Sequence, residues 1–166
     1  MTTLSKRVLA LIVAGASALS IATQFLHEQE GKDRLTAYKD SGGVWTACMG
    51  VTHGVKPHQK FTQAECDRMD AEAVAAADSD VEAMITVPLT KPQHAAIISF
   101  CGYNLGATKC RKSTFLTLLN AGKRKEACEE IKRYVFVGNK DCTDDRNNCR
   151  GIPLRRDQEY ELCLMD

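Results

Sequence analysis

The strongest restriction on the fold of this chain is an uncharged run of nineteen residues near its N-terminus, Val8 to Leu26. As a helix, at about 1.5 Å per residue, such a run reaches roughly the 30 Å hydrocarbon thickness of a bilayer. Only nine of its residues are Val, Leu, Ile or Phe, and the others are small or polar. Each strongly apolar residue favours insertion by roughly 0.3–0.6 kcal/mol, so insertion is marginal. The sequence therefore predicts a helix that is long enough to span a membrane but inserts only weakly.

Two basic residues, Lys6 and Arg7, precede the run and predict a cytoplasmic N-terminus with the rest of the chain exported. Three interpretations remain open: a cleaved signal peptide, with small residues at Ala14, Ala16 and Ala18; a permanent anchor; and a signal anchor that later leaves the bilayer. Weak hydrophobicity argues against the second. We expect residues 1–26 to be a signal-anchor segment and residues 27–166 to form one domain.

All eight cysteines follow the uncharged run, and an even number of cysteines in an exported chain predicts disulfides. No pair has zinc-site spacing, so we predict neither a metal nor a cofactor. The polar loop between Cys142 and Cys149 needs a crosslink, which favours that pair. We expect, less firmly, a second pair between Cys101 and Cys110. By elimination, the remaining pairs are Cys48 with Cys66 and Cys128 with Cys163.

The segment from Glu30 to Gly50 carries the candidate chemistry. Gly31 is typical of a helix end, which places Glu30 in the last turn. There the helix dipole and partial burial both favour a protonated carboxyl group. Two short strands around a turn would leave Asp40 solvated and ionised, with Thr46 on the second strand. A protonated and an ionised carboxyl group on opposite sides of a bond are what glycoside hydrolysis requires.

Further along the chain, the pattern is mainly helical. Thr62 and Glu65 form a capping box that opens a long helix toward Met84, which could join two lobes. Later helices are predicted from Thr90 to near Gly106, from Ser113 to Gly122, from Lys125 to Val135 and from Leu154 to Leu164, and a stretch from Asn139 to Arg150 has a disordered composition.

These motifs, in this order, resemble the phage-type lysozymes of glycoside hydrolase family 24. The resemblance rests on the Glu-Gly, AYKD and GVWT elements, then LTKPQHAAIISFCGYNLG from Leu89, STFLTLLNAG from Ser113 and GIPLRRDQEYELCL from Gly151. It implies an α+β, mainly α-helical fold with a small β-hairpin lobe and a helical lobe. It also implies that Glu30 is the general acid, that Asp40 and Thr46 hold the attacking water, and that the substrate is the glycan strand of peptidoglycan.

Weaker expectations concern substrate binding. Tyr38 and Trp45 flank the expected cleft and could stack on sugar rings or pack in the core. Asn104, Ser113 and Thr114 match segments that line the substrate groove in the family that the chain resembles.

The spacing departs from the family pattern, because nine residues rather than eight separate Glu30 from Asp40. An extra residue among Lys32, Asp33 and Arg34 could bulge out of the loop, or Glu28 could be the acid. A rival hypothesis is a catalytically inactive peptidoglycan-binding protein on the same scaffold.

Glu30 lies four residues beyond Leu26, so a membrane-held run would keep it away from Asp40. Release would let Phe25 and Leu26 pack on the domain. The chain resembles signal-arrest-release endolysins in this respect, which implies export, tethering to the host inner membrane through residues 8–26, and then a periplasmic enzyme. Without residues 1–26 the chain has twenty basic and twenty-one acidic side chains, which argues against nucleic-acid binding. We expect a monomer.

Overall fold

The computed structural model describes residues 1–31, 34–40 and 42–166. The fold is mainly helical, with two small antiparallel sheets. Its α-helices are α1 (Lys6–Val13), α2 (Ala18–Glu30), α3 (Gln63–Glu82), α4 (Lys91–Ile97), α5 (Ala107–Arg111), α6 (Thr114–Asn120), α7 (Arg124–Ile131) and α8 (Gly151–Leu164). The strands are β1 (Arg34–Lys39), β2 (Trp45–Cys48), β3 (Phe136–Val137) and β4 (Lys140–Asp141), and a π-helix spans Ile98–Leu105.

The structure does not show the expected N-terminal signal-anchor helix, because the uncharged run is divided between α1 and α2. Helix α1 ends at Gly15, whose φ of 70° is left-handed. The Gly15 amide donates to the Ile12 carbonyl and the Ala16 amide to the Leu11 carbonyl, each at 3.0 Å, which is the Schellman pattern of a helix end. Ser17 then caps α2 by accepting from the Ser20 amide. No helix among the described residues is both long and apolar enough to cross a membrane.

Most apolar side chains of this N-terminal segment pack in or against the main hydrophobic core, whereas Val13 and Leu19 are exposed. Val8, Ile21, Phe25 and Leu26 are at most 1% exposed, and Leu4 is 6% exposed. The expectation that Phe25 and Leu26 pack on the domain is confirmed. Helix α2 also crosses the boundary expected at residue 26, so one rigid element carries both these core residues and Glu30.

The smaller lobe is built on β1 and β2, which pair antiparallel with Tyr38 opposite Thr46 and Arg34 opposite Cys48. Between these two pairs the chain advances four positions along β1 and two along β2, an irregularity between Arg34 and Tyr38. Lys32 and Asp33, where we expected a bulge, lie outside the described residues. A separate small core of Ala47, Cys48 and Cys66 fixes this sheet to α3.

The long helix α3 connects the smaller lobe to the helical lobe, and its predicted capping box between Thr62 and Glu65 is confirmed. It packs closely on the π-helix at Gly102. A Cβ atom added there would lie 2.6 Å from the Ala77 carbonyl oxygen, so only glycine fits without movement of the backbone. The segment after Thr90 was expected to be a single α-helix, but it changes to a π-helix at Ile98.

Four disulfides crosslink the chain: Cys48–Cys66, Cys101–Cys110, Cys128–Cys163 and Cys142–Cys149. These are the pairs expected from the sequence. The stretch from Asn139 to Arg150 is ordered, against its disordered composition. The β3–β4 hairpin, a short 3₁₀ turn and the Cys142–Cys149 bond give its backbone a fixed conformation.

Candidate active site

Glu30 is the last residue of α2, as expected, and Gly31 ends the helix with a φ of 77°. Its side chain faces α8, where the Arg155 guanidinium lies 2.8 Å from the Glu30 carboxylate oxygen Oε1. The Arg155 side chain is 12% exposed and that of Glu30 is 28% exposed. This ion pair was not anticipated. It holds the end of α2 against α8 and fixes the position of the Glu30 carboxyl group.

The turn after β2 lies against Glu30. A Cβ atom at Gly50 would sit 3.9 Å from the Glu30 oxygen Oε2 and 3.8 Å from the Tyr103 hydroxyl. That hydroxyl donates to the Met49 carbonyl at 2.6 Å, and the Met49 amide donates to Asp70 on α3 at 3.0 Å. Burial, together with the negative charges of Glu30 and Asp70, raises the pKa of Tyr103 well above its ordinary value. Tyr103 therefore stays a neutral donor that fixes this turn beside Glu30.

Asp40 and Thr46 lie together at the start of β2. The Asp40 oxygen Oδ1 accepts from the backbone amides of Gly42 and Val44, each at 2.9 Å, which holds the carboxylate in place. The other oxygen, Oδ2, lies 3.5 Å from the Thr46 hydroxyl, which also donates to the Val44 carbonyl at 3.0 Å. Thr46 is 3% exposed and Asp40 is partly buried. One carboxylate oxygen and one hydroxyl thus converge on the same small region.

A network of polar side chains on the π-helix and α8 supports Arg155. Asn104, on the π-helix, accepts a hydrogen bond from Arg155 through its side-chain oxygen. Its side-chain amide donates to the Ser99 carbonyl at 2.6 Å and to Glu159 at 3.3 Å. Glu159 is fully buried, accepts from the Ser99 hydroxyl at 2.5 Å and lies 2.8 Å from Arg156. Burial raises the pKa of Glu159 and lowers that of Arg156, against their mutual attraction.

Asn104 therefore supports Arg155, which gives it a structural role in addition to the substrate contact expected from the sequence. Ser113 also has a structural role: it caps α6 by accepting from the Leu116 amide and donates to the Cys110 carbonyl, and it is 6% exposed. Both functions of its hydroxyl are used within the fold, which argues against substrate contact. Thr114, the next residue, is exposed.

The two aromatic candidates lie on the hairpin. Tyr38 is partly buried in β1, with the Arg34 guanidinium 4.1 Å from its ring centroid. Trp45 begins β2 and packs edge-on against His58, with ring centroids 4.8 Å apart. Each ring thus already has a protein partner on one side, and each is only partly buried.

Glu28, the alternative acid, faces away from this region. It accepts from the Ser5 hydroxyl at 2.8 Å and from the Gln24 side-chain Nε2 at 2.7 Å. The sequence reasoning missed Arg155 and Tyr103 as parts of the site. Arg155 had a signal, because it is the first arginine of the RRDQEYEL segment that carried part of the family resemblance.

Among the described residues, one group has the composition of a metal site: Asp78 and Glu82 on α3 and His94 on α4, with ligand atoms within 4.8 Å of one another. The His94 Nε2 atom lies 2.7 Å from the Asp78 oxygen Oδ1. The group lies where α3 ends and α4 begins, and it includes none of the residues around Glu30.

The family model described as "Phage lysozyme" matches residues 27–159. A SAR-endolysin of Escherichia phage 933W is 50% identical over 163 residues, which cover 96% of this chain and 92% of that protein. A probable prophage lysozyme of Escherichia coli K12 is 49% identical with the same coverage. Among solved structures, an endolysin from Escherichia coli O157:H7 phage FAHEc1 superposes with a TM-score of 0.72 at 28% identity, covering 86% of this chain and 90% of that one.

Proposed function

Because this chain belongs to the phage lysozyme family, a family of glycoside hydrolases, we propose that it is an endolysin that hydrolyses the glycan strand of peptidoglycan during host cell lysis. The bond is the β-1,4 linkage between N-acetylmuramic acid and N-acetylglucosamine. The observation that carries the proposal is the placement of Glu30 at the helix end, paired with Arg155 and facing the turn that follows β2.

In this mechanism Glu30 donates a proton to the glycosidic oxygen as the bond breaks. Arg155 keeps the carboxyl group in one orientation and stabilises the carboxylate that remains after proton transfer. Asp40 and Thr46 hold the attacking water through the Oδ2 oxygen and the hydroxyl that converge at the start of β2. The backbone amides of Gly42 and Val44 keep the Asp40 side chain fixed while this happens.

Glu28 provides a matched control for the acid, because it lies two residues from Glu30 on the same helix and contacts only the N-terminal segment in this region. We would measure clearing of purified Gram-negative peptidoglycan by the oxidised full-length protein and by its Glu30→Gln and Glu28→Gln variants. We expect clearing to be lost only in Glu30→Gln, with ordinary reducing ends identified by mass. Binding without clearing by the unmutated protein would instead indicate the inactive peptidoglycan-binding protein.

The second part of the proposal is that residues 8–26 tether the exported chain to the host inner membrane, and that the enzyme becomes active in the periplasm when this segment leaves the bilayer. Helix α2 supports this, because it holds Phe25 and Leu26 in the core and Glu30 in the site. A helix pulled into lipid at one end cannot keep both positions. The burial of Leu4 and Val8 favours release over cleavage, since cleavage would remove them from the core.

Membrane fractionation tests the tether. We expect the full chain to sediment with the inner membrane before the membrane potential is collapsed and to become soluble, at full length, afterwards. A chain that stays in the membrane would identify a permanent anchor. A shortened soluble chain would identify a cleaved signal peptide.

A further inference from the structure

The first residues of the chain, which precede any regular element, are held by α8. The Thr3 amide and hydroxyl both donate to the Glu161 oxygen Oε2 at 2.8 Å, and the Thr2 hydroxyl donates to Oε1. The Thr3 carbonyl accepts from the Gln158 side chain at 2.7 Å. Chain ends of this kind ordinarily fray unless they are tied down. Here every polar group of Thr3 has a partner more than 150 residues away in sequence.

These contacts extend a row along α8 that already includes the candidate active site. Arg155, Gln158 and Glu161 follow one another at three-residue intervals, so their side chains lie on neighbouring positions of the helix surface. Arg155 pairs with Glu30, and Gln158 accepts from Gln29 at 2.6 Å while it donates to Thr3. One side of α8 therefore contacts both the end of α2 and the beginning of the chain.

We propose that Gln158 and Glu161 form a binding site for the chain's own N-terminal residues, Thr2 and Thr3, and that its occupation holds the released N-terminal segment on the domain. This inference rests on the proposed function, since it adds to the release step a contact that retains the released segment on the domain. While residues 8–26 are in the bilayer, Thr3 is on the cytoplasmic side and Glu161 is on the other. The binding site is then empty, and it fills only after Lys6 and Arg7 have crossed.

The electrostatics suit this role. Partial burial would raise the pKa of Glu161, but hydrogen bonds from Thr2 and Thr3 and the positive charge of the amino terminus lower it overall. The carboxylate is thus ionised at neutral pH, where it makes its strongest hydrogen bonds. Return of the segment to the membrane would require these bonds to break before the two basic residues crossed again.

Limited proteolysis of the soluble full-length protein tests the binding site directly. Trypsin cleaves after Lys6 and Arg7, and cleavage within α1 requires local opening of the N-terminal segment. We expect Glu161→Gln to accelerate these two cleavages about tenfold, as loss of hydrogen bonds to a charged group predicts. Asp80→Asn, which changes an exposed carboxylate on α3, is the control and leaves the rate unchanged. Circular dichroism separates local from global unfolding.

Thr3→Val provides a second variant if Glu161→Gln unfolds, because it removes one hydroxyl and keeps the backbone contacts. Alone, Thr3→Val should accelerate the same cleavages by a smaller factor. In a protein that already carries Glu161→Gln, adding Thr3→Val should produce a still smaller further acceleration. Rates within twofold of the unmutated protein in all these variants would overturn the proposal. This assay does not use peptidoglycan, so it is independent of whether the protein hydrolyses the wall.

Rebinding to lipid tests whether the Glu161 contact keeps the released segment from returning to the membrane. We would mix soluble full-length protein with vesicles of phosphatidylethanolamine and phosphatidylglycerol and separate bound protein by flotation. The Glu161→Gln variant should return to the vesicles more than the unmutated protein and Asp80→Asn. Equal partition of all three proteins would show that the contact does not keep the segment from the membrane, even if it protects Lys6 and Arg7 from trypsin.

Discussion

The buried pair between Arg156 and Glu159 gives the most quantitative prediction. The two side chains are 6% and 0% exposed and their charged atoms lie 2.8 Å apart. Arg156→Met removes the cation and leaves a carboxylate enclosed by protein, which accepts hydrogen bonds from Ser99 and Asn104. Loss of one partner from such a pair costs about 3–5 kcal/mol. For a chain of this length this corresponds to a Tm lower by roughly 6–20 °C.

The surface offers a matched control. Arg133 and Glu130 form a pair with the same three-residue spacing, at 3.1 Å, but the Arg133 side chain is 73% exposed. Arg133→Met should change the free energy of unfolding by less than about 1 kcal/mol, because solvent screens an exposed pair. The assay is urea unfolding followed by circular dichroism, with both variants measured in the oxidised state. A loss below about 1 kcal/mol in Arg156→Met would refute the reasoning.

Two further measurements separate charge burial from packing. Combining Arg156→Met with Glu159→Leu removes both charges and should recover much of the loss, although the Ser99 hydroxyl then lacks its acceptor. The single variant should also regain stability in acid. Burial raises the pKa of Glu159, so the ionised carboxylate destabilises the fold above that pKa, and the penalty decreases as pH falls and the group takes up a proton.

Three other changes follow from the same structure. Phe25→Ala should lower the free energy of unfolding by about 3–5 kcal/mol, measured in urea, because the side chain is 1% exposed in the core. Arg155→Met should reduce the rate of peptidoglycan hydrolysis by about 10²-fold with an unchanged circular dichroism spectrum, since Glu30 loses the partner that orients it. The Thr3 amide should exchange faster as pH falls below 4.5. The pKa of Glu161 is lowered in the folded protein, so the ionised carboxylate stabilises the N-terminal contact above that pH and this stabilisation is lost in acid. Exchange independent of pH, after correction for the intrinsic rate, would contradict this.

The features that the sequence predicted well are those with a local physical cause. The helix stop at Gly31 and the capping box at Thr62 depend on a few adjacent residues, and both are present. The burial of Phe25 and Leu26 followed from their hydrophobicity. The contact of Arg155 with Glu30 was missed because it joins residues that are far apart in the chain and has no periodicity of its own.

Two expectations that rested on composition differ from the structure, because composition ignores the residues that end helices, begin helices or crosslink the chain. The run from Val8 to Leu26 was treated as one helix, yet Gly15 and Ser17 are a standard helix stop and a standard helix start. The stretch from Asn139 to Arg150 was treated as disordered because it is polar. The Cys142–Cys149 disulfide, which the sequence did predict, holds it in place without a large apolar core.

The corner between α1 and α2 bears on how the time of lysis can evolve. Most apolar side chains of the run face the core, whereas Val13, Ala14 and Leu19 are exposed. Under the proposed tether, lipid contacts all sides of the segment but the folded domain contacts only one. Substitutions at the outward positions can therefore change how long the segment stays in the membrane with little effect on the finished enzyme. Selection can adjust the delay before lysis and the stability of the enzyme separately, within the same nineteen residues.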